Sequence, residues 1–67
     1  MRRIKAERLK KGWSQTVLAY KSSVSIADIS KIELGRLEPY PSQRERLAKA
    51  LHITPDQLTT EVSDGQK

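Results

Sequence analysis

Between Gln15 and Leu34, helix start and stop signals crowd so closely that the segment has to be two short helices joined by a tight turn. Ser14 supplies an N-cap hydroxyl just ahead of Val17 and Leu18. Ser22, Ser23 and Val24 interrupt the pattern as a turn. Ser25 is a second N-cap, with Asp28 at the N3 position as a shorter relative of the capping box. Gly35 then ends the second helix. A small residue, Ala19, falls where the two helices would cross. This is the outline of a helix-turn-helix, a unit able to lay its second helix in the DNA major groove.

The rest of the chain is punctuated as clearly. A first helix is predicted from Arg3 to Lys11, stopping at Gly12, with Lys10 and Lys11 in the last turn, where cations suit the helix dipole. Its apolar face is thin (Ile4 and Leu9, with Trp13 just beyond). Helix 2 is predicted over Gln15 to Lys21 and helix 3 over Ile26 to Leu34. Pro39, Tyr40 and Pro41 read as a rigid extended link. Ser42 with Glu45 reads as a capping box opening helix 4, from Gln43 to Leu51. Thr54 and Gln57 form another, with Pro55 at the first helical position, opening a short helix 5 that ends near Thr60.

Five short helices without a strand pattern or an internal repeat predict an all-α fold, a single domain over residues 1–60 with its motif at about 15–34. The segment 61–67 has one apolar residue and is expected to be a disordered tail. The expected core is Ile4, Leu9, Trp13, Leu18, Ala19, Val24, Ile29, Ile32, Leu47, Leu51, Ile53 and Leu58. A chain of 67 residues buries only about 60% of its unfolded surface, so that core is small.

Composition removes several function classes. There is no cysteine and one histidine, so neither a disulfide framework nor a metal cluster is expected. No paired carboxylates in an apolar setting and no glycine-rich phosphate loop point to an enzyme or a cofactor. The early charges at Arg2 and Arg3 and the lack of a long apolar run argue against a signal peptide or a membrane span, leaving a cytoplasmic protein as the expectation. The net charge is +5. Residues 1–13 hold six basic side chains against Glu7 alone, residues 14–34 balance, and residues 35–53 net +2. Two basic blocks flank a neutral segment, which suits phosphate neutralisation beside a base-reading helix. Charge alone equally fits a solvated surface.

At 100° per residue, Ile29 and Ile32 define the inner face of helix 3. Ala27, Ser30, Lys31 and Leu34 lie opposite, with Ile26 and Glu33 to one side. On DNA, Lys31 would donate to guanine, Ser30 to a base or phosphate, and Ile26 or Ala27 would touch thymine methyls. The bland alternative is a mixed surface.

These residues resemble the lambda-repressor/Cro-like, or Xre-like, helix-turn-helix regulators. The likeness runs from Ile4 to Leu58, through KKGWSQ (Lys10 to Gln15), VLA (Val17 to Ala19), SVS (Ser23 to Ser25), ISKIELG (Ile29 to Gly35), LAKAL (Leu47 to Leu51) and ITPDQL (Ile53 to Leu58). The order and spacing of the pieces carry it. It implies that Ile26, Ala27, Ser30 and Lys31 face bases. It implies that Gln15 binds phosphate and braces the first residue of the recognition helix. Arg36, Tyr40, Gln43 and Arg44 fall where the family contacts the DNA backbone, and Arg8 with Glu33 where it forms an internal salt bridge. It also implies a homodimer formed through the C-terminal helix, near Leu58 and Val62, in a bacterial or phage-type regulator bound to the nucleoid.

Three positions depart from the family. Ser23 stands in the turn and His52 after helix 4, both usual places for glycine; His52 is most simply a C-cap. Ile26 stands where a polar side chain is common, which leaves few donors and favours T-rich contacts or modest discrimination. Trp13 is expected to pack as core. Tyr20 fits either a place beside the helix 2 phosphate contacts or plain surface.

The expected function is a sequence-specific, DNA-binding transcriptional regulator, a repressor, acting on double-stranded DNA without catalysis or a small-molecule ligand. The alternative is a protein-interaction adaptor or antitoxin-like module built on the same fold, which the apolar Ile26, Ala27 and Leu34 would suit and the basic flanks would not.

Overall fold

Serine hydroxyls and left-handed residues set the helix boundaries. In a computed structural model, which describes residues 1–62, the helices are α1 (Arg3–Lys10), α2 (Gln15–Ser22), α3 (Ile26–Glu33) and α4 (Pro41–Leu51), followed by a single 3-10 turn at Pro55–Gln57. The Ser14 hydroxyl accepts from the Val17 amide at 3.1 Å, and the Ser25 hydroxyl from the Asp28 amide at 3.2 Å. Each satisfies one of the amides that a helix start leaves without an intrahelical partner. Gly12, at φ 72°, follows α1, and Gly35, at φ 79°, follows α3. Ser23 and His52 terminate α2 and α4, each at φ 61° and without glycine's freedom.

Four expectations are corrected. The fifth helix is one 3-10 turn, so the described residues hold four α-helices. Its polar start is real: the Thr54 amide donates to Gln57 Oε1 at 3.0 Å. Helix 4 does not begin on a Ser42–Glu45 box. Tyr40 is the N-cap, Pro41 is the first helical residue, and the Tyr40 amide donates to Gln43 Oε1 at 3.0 Å. Proline has no N–H to lose there and its φ already suits a helix, so the link's second proline is helix rather than linker. Leu9 is 50% exposed, because α1 turns Ile4 and Arg8, one helical turn apart, toward the interior instead. A buried charge at a core-facing position is what the apolar pattern could not display. Finally, Glu61 and Val62 are not a loose tail. The Val62 amide donates to the Met1 carbonyl at 2.8 Å, and Arg2 and Glu61 form an antiparallel bridge. The remainder of the expected tail, 63–67, lies outside the described residues.

That pairing closes the fold. The α1 start has no side-chain cap. Its first amides donate instead to the far end of the chain, Arg3 to the Thr60 carbonyl at 2.7 Å and Ile4 to the Leu58 carbonyl at 3.0 Å. Between them sits one core of Ile4, Leu18, Val24, Ile29, Ile32, Leu47, Leu51 and Leu58. Trp13, Ala19, Leu37, Ala50 and Ile53 pack partly buried against it. Helix α4 is the platform: α1, α2 and the 3-10 turn all pack on it, and α3 packs on α2. Ser22 is buried yet satisfied, donating to the Leu18 carbonyl at 2.7 Å and accepting from the Val24 amide at 3.3 Å.

The exposed Ser23 tests the turn geometry. A Cβ in the left-handed region costs roughly 1–2 kcal/mol, part of which glycine gives back as chain entropy. Ser23→Gly is expected to stabilise the domain by up to about 1 kcal/mol, raising Tm by about 4–8 °C at the upper end. Thermal unfolding followed by circular dichroism measures it, and a lower Tm would mean that the turn does not hold this conformation in solution.

Candidate nucleic-acid interface

The orientation of α3 follows from one charged cluster. Arg8 on α1 and Glu33 at the end of α3 meet as a planar fork, Nε to Oε2 at 2.7 Å and one terminal nitrogen to Oε1 at 3.0 Å. The other terminal nitrogen donates to the Trp13 carbonyl at 2.9 Å, just past the α1 stop. Gln15, the first residue of α2, donates from Nε2 to Glu33 Oε1 at 3.0 Å. Both charged side chains are buried. A bidentate guanidinium–carboxylate pair is directional, so it fixes orientation as well as distance. Gln15 thus does not brace Ile26 at the start of α3, as expected of it. Its amide is bound to the opposite end of that helix.

With Ile29, Ile32 and Glu33 turned inward, the outer face of α3 is fixed. Ile26 (44% exposed), Ala27, Lys31 and Leu34 (64%) are exposed, and Ser30 is half-buried at their edge. These are the residues singled out as base-facing, together with Leu34, and they share one surface. Lys31 forms no ion pair among the described residues. Asp28, the carboxylate of α3 besides the buried Glu33, is drawn away toward α4, where its Oδ2 accepts from Gln43 Nε2 at 2.8 Å. Gln43 is therefore engaged at both ends, on Asp28 and on the Tyr40 amide, and its place is that of a brace between α3 and α4. Of the other backbone candidates, Arg36 and Tyr40 are exposed and Arg44 is half-buried. Tyr20 is 86% exposed.

Of the two C-terminal residues expected near a dimer interface, one is core and one is partly exposed. Leu58 is fully buried in the core of its own chain and has no surface to offer a second copy. Val62 is half-buried against the N-terminus.

The first basic block is also not what its composition suggested. Arg2 pairs with Glu38 at 2.9 Å, Arg3 with Glu7 at 3.5 Å, Arg8 with Glu33, and Lys10 with Glu7 at 3.5 Å. Lys11 lies over the Trp13 ring at 5.4 Å from its centroid, and Lys21 lies over the same ring at 5.0 Å. Most of that positive charge is used inside the fold. Arg36, Arg44, Arg46 and Lys49 of the second block form no ion pairs among the described residues.

The order, lengths and packing of α2 and α3 now stand beside a family match. The chain belongs to a helix-turn-helix domain family, whose model matches residues 2–60. No curated protein and no solved structure matches it. Within the helix-turn-helix, α2 and α3 are the paired helices and Ser23 is the hinge of the turn. Among the described residues, no group of three or more His, Cys, Asp or Glu side chains is placed to hold a metal, and no helix is long and apolar enough to cross a membrane.

The charged cluster that orients the helix-turn-helix is testable by stability. Glu33→Leu or Arg8→Met alone leaves the partner charge buried and is expected to cost about 3–5 kcal/mol. The double variant Arg8→Met/Glu33→Leu strands no charge and is expected to recover much of that loss. Urea unfolding of all four proteins measures the coupling; single variants costing less than about 1 kcal/mol would place the pair among ordinary surface bridges.

Proposed function

We propose that this helix-turn-helix domain is a sequence-specific, DNA-binding transcriptional regulator of the lambda-repressor/Cro-like kind, with α3 as the helix that enters the major groove. The observation that carries the reading is the outer face of α3. Ile26, Ala27, Lys31 and Leu34 are exposed together, the only cation among them is unpaired within the described residues, and of the helix's two carboxylates Asp28 is tied back to α4 and Glu33 is buried on Arg8. A major groove about 12 Å wide accepts a helix. Lys31 is suited to guanine O6 or N7, Ser30 to a base edge or phosphate, and Ile26 and Ala27 to thymine methyls. Arg36, Arg44 and Tyr40 are suited to the backbone on the α4 side, and Gln15 retains one amide proton for a phosphate on the α2 side.

An eight-residue helix reaches only a few base pairs. Two copies on a two-fold site, with half-sites about 34–36 Å apart, supply the remaining affinity. Leu58 is internal, which leaves the partly exposed Val62 as the C-terminal apolar residue available to a second copy. Occupying a site excludes other proteins from it, so repression is the outcome that requires no further contact surface. The mostly apolar face also suits an adaptor that binds a protein. Against that reading stand the unpaired cations around α3, which an apolar protein partner would have to desolvate.

Selection of bound sites from random DNA, followed by anisotropy titrations over a salt series, tests the proposal. The wild type is expected to bind the selected duplex with an affinity that falls steeply with salt. Lys31→Ala is expected to relax preference at one base position by about 1–3 kcal/mol, and Arg36→Ala to weaken all sequences alike. No binding to any duplex at low salt would overturn the function, and a uniform effect of Lys31→Ala would make it a phosphate contact.

A further inference from the structure

Beside the Arg8–Glu33 pair lies a cavity of about 130 Å³, lined by Lys5, Arg8, Gln15, Ser30, Glu33 and Leu34. It joins α1 to the edge of the α3 outer face. We infer that it is a seat for a DNA phosphate, with Lys5 as the cation that holds it; the inference rests on the DNA-binding reading above and extends the contact surface onto α1.

The charge inventory singles Lys5 out. Of the six basic residues in 1–13, Arg2, Arg3, Arg8 and Lys10 have carboxylate partners and Lys11 sits on an indole ring. Lys5 has neither among the described residues. The carboxylate in the cavity does not oppose an anion strongly. Glu33 is held bidentately by Arg8 and also accepts from Gln15, so its charge is neutralised where it lies. What remains to act on a visitor is one ammonium group. Lys5 lines the cavity together with Ser30 and Leu34, so the cavity reaches the margin of the surface proposed to face the groove, where a sugar–phosphate strand would run. A lysine is a compact charge on a flexible stem, suited to a phosphate oxygen and poor at telling one base from another. The contact therefore adds affinity and register without sequence preference.

The test uses the full chain, any duplex the wild type binds, and three variants: Lys5→Ala, Lys5→Arg, and Lys10→Ala as an equal charge change outside the cavity. The readout is the slope of log K against log salt. Lys5→Ala is expected to lower the slope by about 0.9, the release of one phosphate's counterion. Lys5→Arg is expected to restore it, Lys10→Ala to leave it near the wild-type value, and none to alter the preferred sequence. Circular dichroism confirms that each variant is folded. A wild-type slope in Lys5→Ala, or equal losses in Lys5→Ala and Lys10→Ala, overturns the phosphate seat while leaving the DNA-binding reading intact. Failure of the wild type to bind duplex DNA removes both.

Discussion

Arg8 and Glu33 join three parts of the chain that the small apolar core does not by itself hold in register. The pair ties α1 to the last turn of α3, the third arm of the guanidinium holds the Trp13 carbonyl, and Gln15 brings the start of α2 to the same carboxylate. A core of eight side chains can be satisfied by more than one rotation of a short helix. A bidentate pair cannot, because its planar geometry is lost within a small rotation. Burying Glu33 together with Ile29 and Ile32 therefore decides which residues of α3 are left outside. The same interaction that costs desolvation also creates the outer face on which the proposed function depends.

The charge of the molecule reads differently once those pairs are drawn. A net +5 suggests a uniformly basic protein, yet the N-terminal block is largely neutralised within the fold. Among the described residues, the cations with neither a carboxylate nor the Trp13 ring as partner are Lys5 on α1, Lys31 on α3, Arg36 after it, and Arg44, Arg46 and Lys49 on α4. Asp28 is drawn to Gln43 and away from the outer face. Lys31 on α3 and Arg36 just after it are thereby left free of carboxylates, which favours a polyanion lying along that helix.

Much of the architecture was legible because it is written in local signals. Ser14, Ser25, Gly12 and Gly35 act within a few residues of themselves, and the boundaries of α2 and α3 follow from them. Ser23 and His52 take left-handed positions, as the family resemblance implied by placing glycine there. The failures were non-local or competitive. Leu9 was misplaced because a charged residue, Arg8, took the inward position its partner made available. Ser42 and Glu45 offered a sound capping box, but Pro41 started the helix first. Leu58 is core, as its apolar pattern implied, and the Ile4 amide holds its carbonyl, a contact between chain ends that no local signal displays. Gln15, Gln43 and Lys5 owe their settings to contacts between elements distant in sequence, and no spacing rule exposes such contacts.

The account stands on α3 being the surface that meets DNA. Amide chemical shifts of the labelled protein, followed during titration with duplex DNA, test this directly. The account predicts the largest changes over Ile26 to Lys31 and at Gln15, with little change along the buried stretch from Leu47 to Leu51 and at Leu58. Perturbations centred on the 3-10 turn and the end of α4, with α3 silent, would contradict it.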